Sequence, residues 1–321
     1  MIKKNHIHML SSTDDLMIYA YLYEPDQPKA IIQILHGMAE HKERYDELCN
    51  ILANLGYVVV IADHRGHGES ISAKVPLGQF ADDDGWMVNL RDQAMFAQAV
   101  KERYRRLPFF LVGHSMGSLI ACSYLKRYED GIDGMILSGM PAYNKAVPMG
   151  KMMCGIACRT KGKSGHSKTI RNMAEGGYIK TIKNPKTAYD WLSYNEDNFM
   201  KYKDDPLCGF PFTNKGYDDL MEGMMDVFAR EDWRVLKHDM PILFVAGQDD
   251  PCADVPKGFT NSINVLQKAG YDNIEATVYE NMRHEIFNET QRAVVYKDVA
   301  AWLERQLKKR QPAKEAVDAK G

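Results

Sequence analysis

The chain has 321 residues, 45% hydrophobic and 26% charged, with 41 Lys+Arg against 43 Asp+Glu and a formal net charge of -2. This excludes a small stapled scaffold and a wholly disordered or fibrous chain, leaving room for one large α/β unit or two ordinary domains. Near-neutral charge carries no footprint for nucleic acid, and six cysteines without a CxxC pair or zinc-type spacing read as reduced thiols rather than a disulfide framework or metal site.

The opening MIKKNHIHMLSSTDDL lacks the apolar stretch of a secretory signal, so a cytoplasmic protein is expected. A polar meander over 5–24 leads to a strand at 30–37, a helix near 43–55 and a strand at 56–64. A long helix at 86–104 follows, then a strand at 108–113, a helix at 116–128 and a strand at 134–139. The rhythm resumes with a strand at 241–247, a helix near 256–269, a strand at 274–280 and an amphipathic helix over 289–307. Apolar runs alternating with helical stretches predict a mostly parallel sheet covered on both faces, of the α/β class. None of these runs approaches the roughly 20 residues of a membrane-spanning helix, so no transmembrane segment is expected.

Between 141 and 233 the strand signal disappears and helical pieces are broken by KGKSG, EGG, NPK and FPFTNKG. This predicts a helical cap inserted at 141–233 into a catalytic domain made of 1–140 and 234–308, with a frayed polar tail at 309–321. Leu220, Met221, Met224, Met225 and Phe228 fall at helical spacing within the insertion; they are expected chiefly to pack it down, some of them lining a substrate site.

Chemistry concentrates at GHSMG, residues 113–117, directly between a predicted strand and a predicted helix. So tight a turn strains its middle residue, and glycines two positions before and after remove side chains that would collide. Ser115 is therefore the candidate nucleophile, standing at the carboxyl edge of the sheet. A serine hydroxyl needs a base oriented by an acid, and in this arrangement the chain order is Ser, acid, His. Of the ten histidines only His284 follows the candidate acids in GQDDP. Asp250 is the favoured acid and Asp249 the alternative. The developing oxyanion needs two amide donors, predicted as the N–H of Met116 and the N–H of Met38 after the HG turn.

These parts together resemble the α/β-hydrolase family. Within it, LHGMAEHKERYDEL (35–48) is similar to the HGxxEHxxRYxxL of monoacylglycerol lipases and bacterial lysophospholipases, DHRGHGES (63–70) to their DHxGHGxS, and RHEIFNE (283–289) to the bacterial histidine loop. The resemblance implies an α/β-hydrolase fold with an eight-stranded, mostly parallel sheet and a helical cap. It implies hydrolysis of a small-molecule ester or lipid through an acyl-enzyme, with no metal or organic cofactor. It also implies that Glu40 and Arg44 hold the polar end of the substrate, although a simple ion pair at i, i+4 explains the same spacing. Asp63, Arg65, His67 and Gly68 are expected to brace the oxyanion loop, and Cys252 to be a packed thiol. MGKMMCGIAC (149–158) is apolar enough for transient contact with a membrane surface.

Three rivals share part of this pattern. A serine aminopeptidase-like enzyme would need an acidic cap residue for the substrate ammonium, with Glu175, Glu196 and Asp190 as candidates. A general short-chain carboxylesterase would use the same machinery. A non-catalytic binding module would have lost at least one of the parts, and all stand here.

Overall fold

The apolar runs become strands β1 (Ile2–Leu10), β2 (Met17–Pro25), β3 (Ala30–Leu35), β4 (Tyr57–Ala62), β5 (Phe109–His114), β6 (Gly134–Ser138), β7 (Ile242–Gly247) and β8 (Ile274–Tyr279). They are seen in a computed structural model that describes residues 1–229 and 233–318, with side chains through Arg310. All eight join one sheet in the order β1-β2-β4-β3-β5-β6-β7-β8. The β1–β2 and β2–β4 pairings are antiparallel and the rest parallel. Burial follows position: β3 to β7 are buried along their whole length, whereas edge strand β1 alternates polar with partly covered residues. That is why the interior strands read as unbroken apolar runs and the edge did not.

Helices α1 (Asp46–Asn54) and α9 (Arg292–Asp318) cover one face, where Leu48, Leu52, Val295 and Trp302 pack on Ile32, Ile61 and Phe110. Helices α2 (Gly85–Arg103), α3 (Met116–Tyr128) and α8 (Lys257–Ala269) cover the other through Phe96, Ile120 and Phe259. Each such side chain, fully buried, contributes roughly 1.5–3 kcal/mol of transfer free energy, and the two layers hold the sheet rigid beneath its carboxyl edge.

Between β6 and β7 no strand forms among the described residues; α4 (Val147–Lys161), α5 (Lys168–Ala174), α6 (Glu196–Asp204) and α7 (Asn214–Phe228) lie there instead. On α7, Leu220, Met221 and Met224 turn inward, whereas Met225 is 37% exposed, so the apolar stripe is narrower than its spacing implied. On α4, Met149, Met152 and Ile156 point outward at 59, 60 and 52% exposure.

The backbone of α9 runs on to Asp318, past residue 309 where the polar tail was expected to begin. Side chains from 311 onward and residues 319–321 of the expected tail lie outside the described residues. The first helix also starts differently, as a 3-10 turn at Lys42–Tyr45 that feeds α1.

Candidate active site

Ser115 occupies the turn between β5 and α3 with φ 53° and ψ -120°, a left-handed conformation that costs a side-chain-bearing residue free energy and persists only where surroundings impose it. The surroundings are close. A Cβ at Gly117 would lie 2.0 Å from the Leu35 carbonyl oxygen, and one at Gly113 would lie 2.5 Å from the Gly117 carbonyl oxygen. The turn is tied down by the Ser115 N–H donating to the Ser138 carbonyl at 2.9 Å and by the Ser118 hydroxyl donating to the Gly113 carbonyl at 2.9 Å. Gly117→Ala is expected to destabilise the fold by about 3 kcal/mol or more, since backbone rather than a flexible side chain must move; thermal unfolding measures it, and a wild-type midpoint would show that the turn has slack.

The loop after β7 brings Asp250 to the loop after β8. Asp250 is buried, and its carboxylate accepts the N–H groups of Cys252 at 2.8 Å and Ala253 at 3.1 Å while facing His284 Nδ1 at 2.9 Å. Burial alone would raise this carboxyl, but His284 and the two amides hold it below the ordinary carboxylate value. Asp249 points elsewhere, accepting the Tyr194 hydroxyl at 2.9 Å on the surface. Of the adjacent pair, only Asp250 meets the imidazole.

His284 is itself buried, its ring 4.7 Å from that of His114 and 5.0 Å from that of Trp191. Burial would lower its pKa, but the Asp250 carboxylate overrides this and raises it above the usual 6.5. With Nδ1 taken by Asp250, Nε2 is the nitrogen left for chemistry. His114 behaves oppositely: burial and the neighbouring His284 lower it to about 3, so it stays neutral. The Cys252 thiol donates to the Tyr178 hydroxyl at 3.5 Å, and burial drives its pKa up, keeping it protonated.

The loop after β3 lies against Ser115, since a Cβ at Gly37 would come within 3.3 Å of Ser115 Cβ. Met116 opens α3, so its N–H has no intrahelical acceptor. Among the described residues no protein acceptor takes the Met38 N–H. The loop's shape comes from Glu40, 2% exposed, whose carboxylate accepts the Gly37 N–H at 2.5 Å, the Tyr45 hydroxyl at 2.7 Å and Arg44 Nε at 2.9 Å. Arg44 reaches on to Glu285 at 2.5 Å, where Asn198 of α6 also donates at 2.6 Å. Glu40 lines the cavity and Arg44 does not; both are occupied by protein partners. Asp63 accepts the backbone N–H and Nζ of Lys42 at 2.8 and 2.7 Å, and the His64 N–H donates to His36 Nε2 at 2.9 Å, which anchors the same loop from below.

Ser115, His114, Met38, Met116 and His284 share a cavity of about 530 Å³. Its walls are largely apolar, with Leu119, Ile179, Trp191, Leu220, Met221 and Met224, and α5 contributes Lys168, Arg171 and Asn172, with Glu175 just beyond it. Of the three acids considered for binding an ammonium, only Glu175 lines the cavity. It accepts the Tyr217 hydroxyl and lies 3.6 Å from Arg171, but burial outweighs both and raises its carboxyl above the ordinary value. Asp190 closes its own turn with Thr187, and Glu196 pairs with Lys186 on the surface.

Trp191 carries no signal in the local sequence and Gly139 only a faint one. Trp191 reaches His284 from a helical segment with no motif of its own. Gly139 has φ 54° and sits where a Cβ would be 3.1 Å from both Asp250 and His284. Its one signal is its place directly after β6, where a glycine at a strand's carboxyl end marks close approach of other backbone or side chains.

A family model described as serine aminopeptidase, S33 matches residues 26–291. A monoacylglycerol lipase of Mycolicibacterium smegmatis is 25% identical over 300 residues, covering 92% of this chain and 96% of its own. A phospholipase of Bacillus subtilis is 26% identical over 292 residues, covering 89% and 100%. Among solved structures, a thermostable carboxyl esterase from Bacillus coagulans in complex with glycerol superposes with a TM-score of 0.87 at 26% identity, covering 95% of this chain and 99% of that one.

Proposed function

Because the chain belongs to the serine aminopeptidase family of α/β-hydrolases, we propose that it is a serine ester hydrolase acting on amphiphilic lipid esters of the monoacylglycerol or lysophospholipid type. The observation that carries the reading is the buried Asp250–His284 pair, at 2.9 Å, opening onto the same apolar cavity as the strained Ser115. An acyl chain would lie along Leu119, Met221 and Met224, where its burial contributes about 0.8 kcal/mol per methylene. The glyceryl or phosphoryl end would meet the polar wall around α5. Residues 141–233 would form the cap over a catalytic domain made of 1–140 and 234–308, with Met149, Met152 and Ile156 available to a lipid surface.

In this mechanism Ser115 Oγ attacks the ester carbonyl carbon while His284 Nε2 takes its proton. The carbonyl oxygen becomes an oxyanion held by the N–H groups of Met38 and Met116. Collapse expels the alcohol, which leaves with the proton returned by His284, and Ser115 is left acylated. Water then attacks the acyl-enzyme with His284 again as base, releasing the fatty acid and restoring Ser115. Asp250 holds the imidazole in the tautomer that leaves Nε2 free. Glu40 and Arg44, spent on protein partners, would act by shaping the oxyanion and histidine loops rather than by gripping the substrate.

The family's name makes an aminopeptidase the second reading, and Glu175 on the cavity wall is the observation in its favour. The apolar remainder of the wall, and the engagement of Glu175 by Tyr217 and Arg171, favour the ester. Turnover of monoacylglycerols, lysophospholipids, p-nitrophenyl esters and aminoacyl amides, measured side by side, tests the choice; dominant amide cleavage would reverse it.

The pH profile follows from the sign of the His284 shift. The neutral imidazole is the active base, so kcat/KM should fall tenfold per unit on the acid side of an inflection lying above 6.5, because Asp250 stabilises the protonated form. A rate that stays flat from pH 7.5 down to 5 with chemistry rate-limiting would remove His284 as the base.

A further inference from the structure

The amide of Met38 is followed by Ala39, a non-glycine residue with φ 52°. Left-handed backbone costs such a residue roughly 1–2 kcal/mol, so this turn relaxes unless it is held. From the sheet side it is held at Gly37 by Glu40 and at His36 by the His64 side chain, which lies 3.0 Å from the His36 carbonyl. At Ala39 itself the fastening comes from the opposite direction. The Ala39 carbonyl accepts the Tyr202 hydroxyl at 2.9 Å and the Gly209 N–H at 2.9 Å, and both donors belong to α6 and the loop after it.

Both donors are themselves fixed. Tyr202 is buried, its ring 4.8 Å from the Arg44 guanidinium and 5.0 Å from the Tyr189 ring, to which it is tilted by 58°. Gly209 has φ 66°, and a Cβ there would collide with Tyr189. The oxyanion loop is thus clamped between the sheet and the segment that covers it.

Resting on the hydrolase reading above, we infer that Tyr202 is a positioning residue for the oxyanion hole, its hydroxyl holding the Ala39 carbonyl so that the Met38 N–H points at the developing oxyanion. It touches no reacting atom in this role. The chemical step then depends on the covering segment being docked, and a molecule with α6 lifted would bind an acyl chain yet acylate slowly.

Tyr202→Phe tests this, since it removes one O–H and leaves the ring, its packing and the buried volume in place. The readouts are kcat and KM for p-nitrophenyl butyrate, the rate at which a fluorophosphonate modifies Ser115, and the thermal midpoint. The expected result is a fall of about tenfold in kcat and a matching fall in phosphonylation rate, with KM within about twofold, because the phosphonyl oxygen uses the same donors. A purely structural role would lower the midpoint and leave both rates alone, which overturns the proposal. So does a rise in KM at unchanged kcat, which would make Tyr202 a wall of the cavity only. Failure of the underlying reading shows separately, in wild-type protein that takes no phosphonate on Ser115, and needs no variant.

Discussion

Ser115→Ala is expected to lower ester hydrolysis by about ten-thousand-fold or more while leaving the fold intact. The size follows from the chemistry: with no hydroxyl there is no acyl-enzyme, and the Asp250–His284 pair can only activate water from a position evolved for a different attack. Retention of the fold follows from the geometry. The turn is held by backbone through the Ser115 N–H and by Gly113 and Gly117, not through the hydroxyl. Alanine keeps the same backbone at φ 53° and meets nothing new. The measurement pairs p-nitrophenyl ester turnover with thermal unfolding. A variant that melts like wild type and keeps more than about a hundredth of its activity would sink the nucleophile assignment. It would direct attention to the other nucleophile-bearing side chains that line the cavity, Cys252 and Lys168 among them.

The elements that were legible are those whose reason is local. Strands β3 to β7 are buried on both faces, so each is an apolar run bounded by turn residues. The turn at Ser115 demands glycine at 113 and 117 for a steric reason that a five-residue pattern captures. Asp250 and His284 could be placed because each follows a readable strand. What stayed hidden depends on which distant segments meet. Glu40 and Arg44 stand at i, i+4 as a pair, but their partners Glu285 and Asn198 lie 241 and 154 residues from Arg44, so the spacing alone could not tell a substrate grip from an internal brace. Trp191 against His284 and Tyr202 against Ala39 belong to a stretch of short helices whose packing onto the sheet carries no periodic signature.

Asp250→Asn should lower kcat by about ten-thousand-fold, and Asp249→Asn should change it by less than about threefold. An asparagine at 250 can still accept the Cys252 and Ala253 N–H groups through Oδ1, so the loop keeps its shape. Its amide nitrogen then faces His284 Nδ1 at the 2.9 Å now spanned by the carboxylate. Being a donor, it favours the imidazole tautomer protonated at Nε2, which can no longer accept the Ser115 proton. At 249 the Tyr194 hydroxyl donates just as well to an amide oxygen, and the site sits on the surface away from the imidazole. The pH profile separates loss of the acid from general damage. With the carboxylate gone, burial dominates the His284 environment, so the acid-side inflection of whatever activity is left should move downward from its raised wild-type position. Misfolding would scale the rate without moving that inflection, and a severe loss in Asp249→Asn with near-normal Asp250→Asn would transfer the role to Asp249.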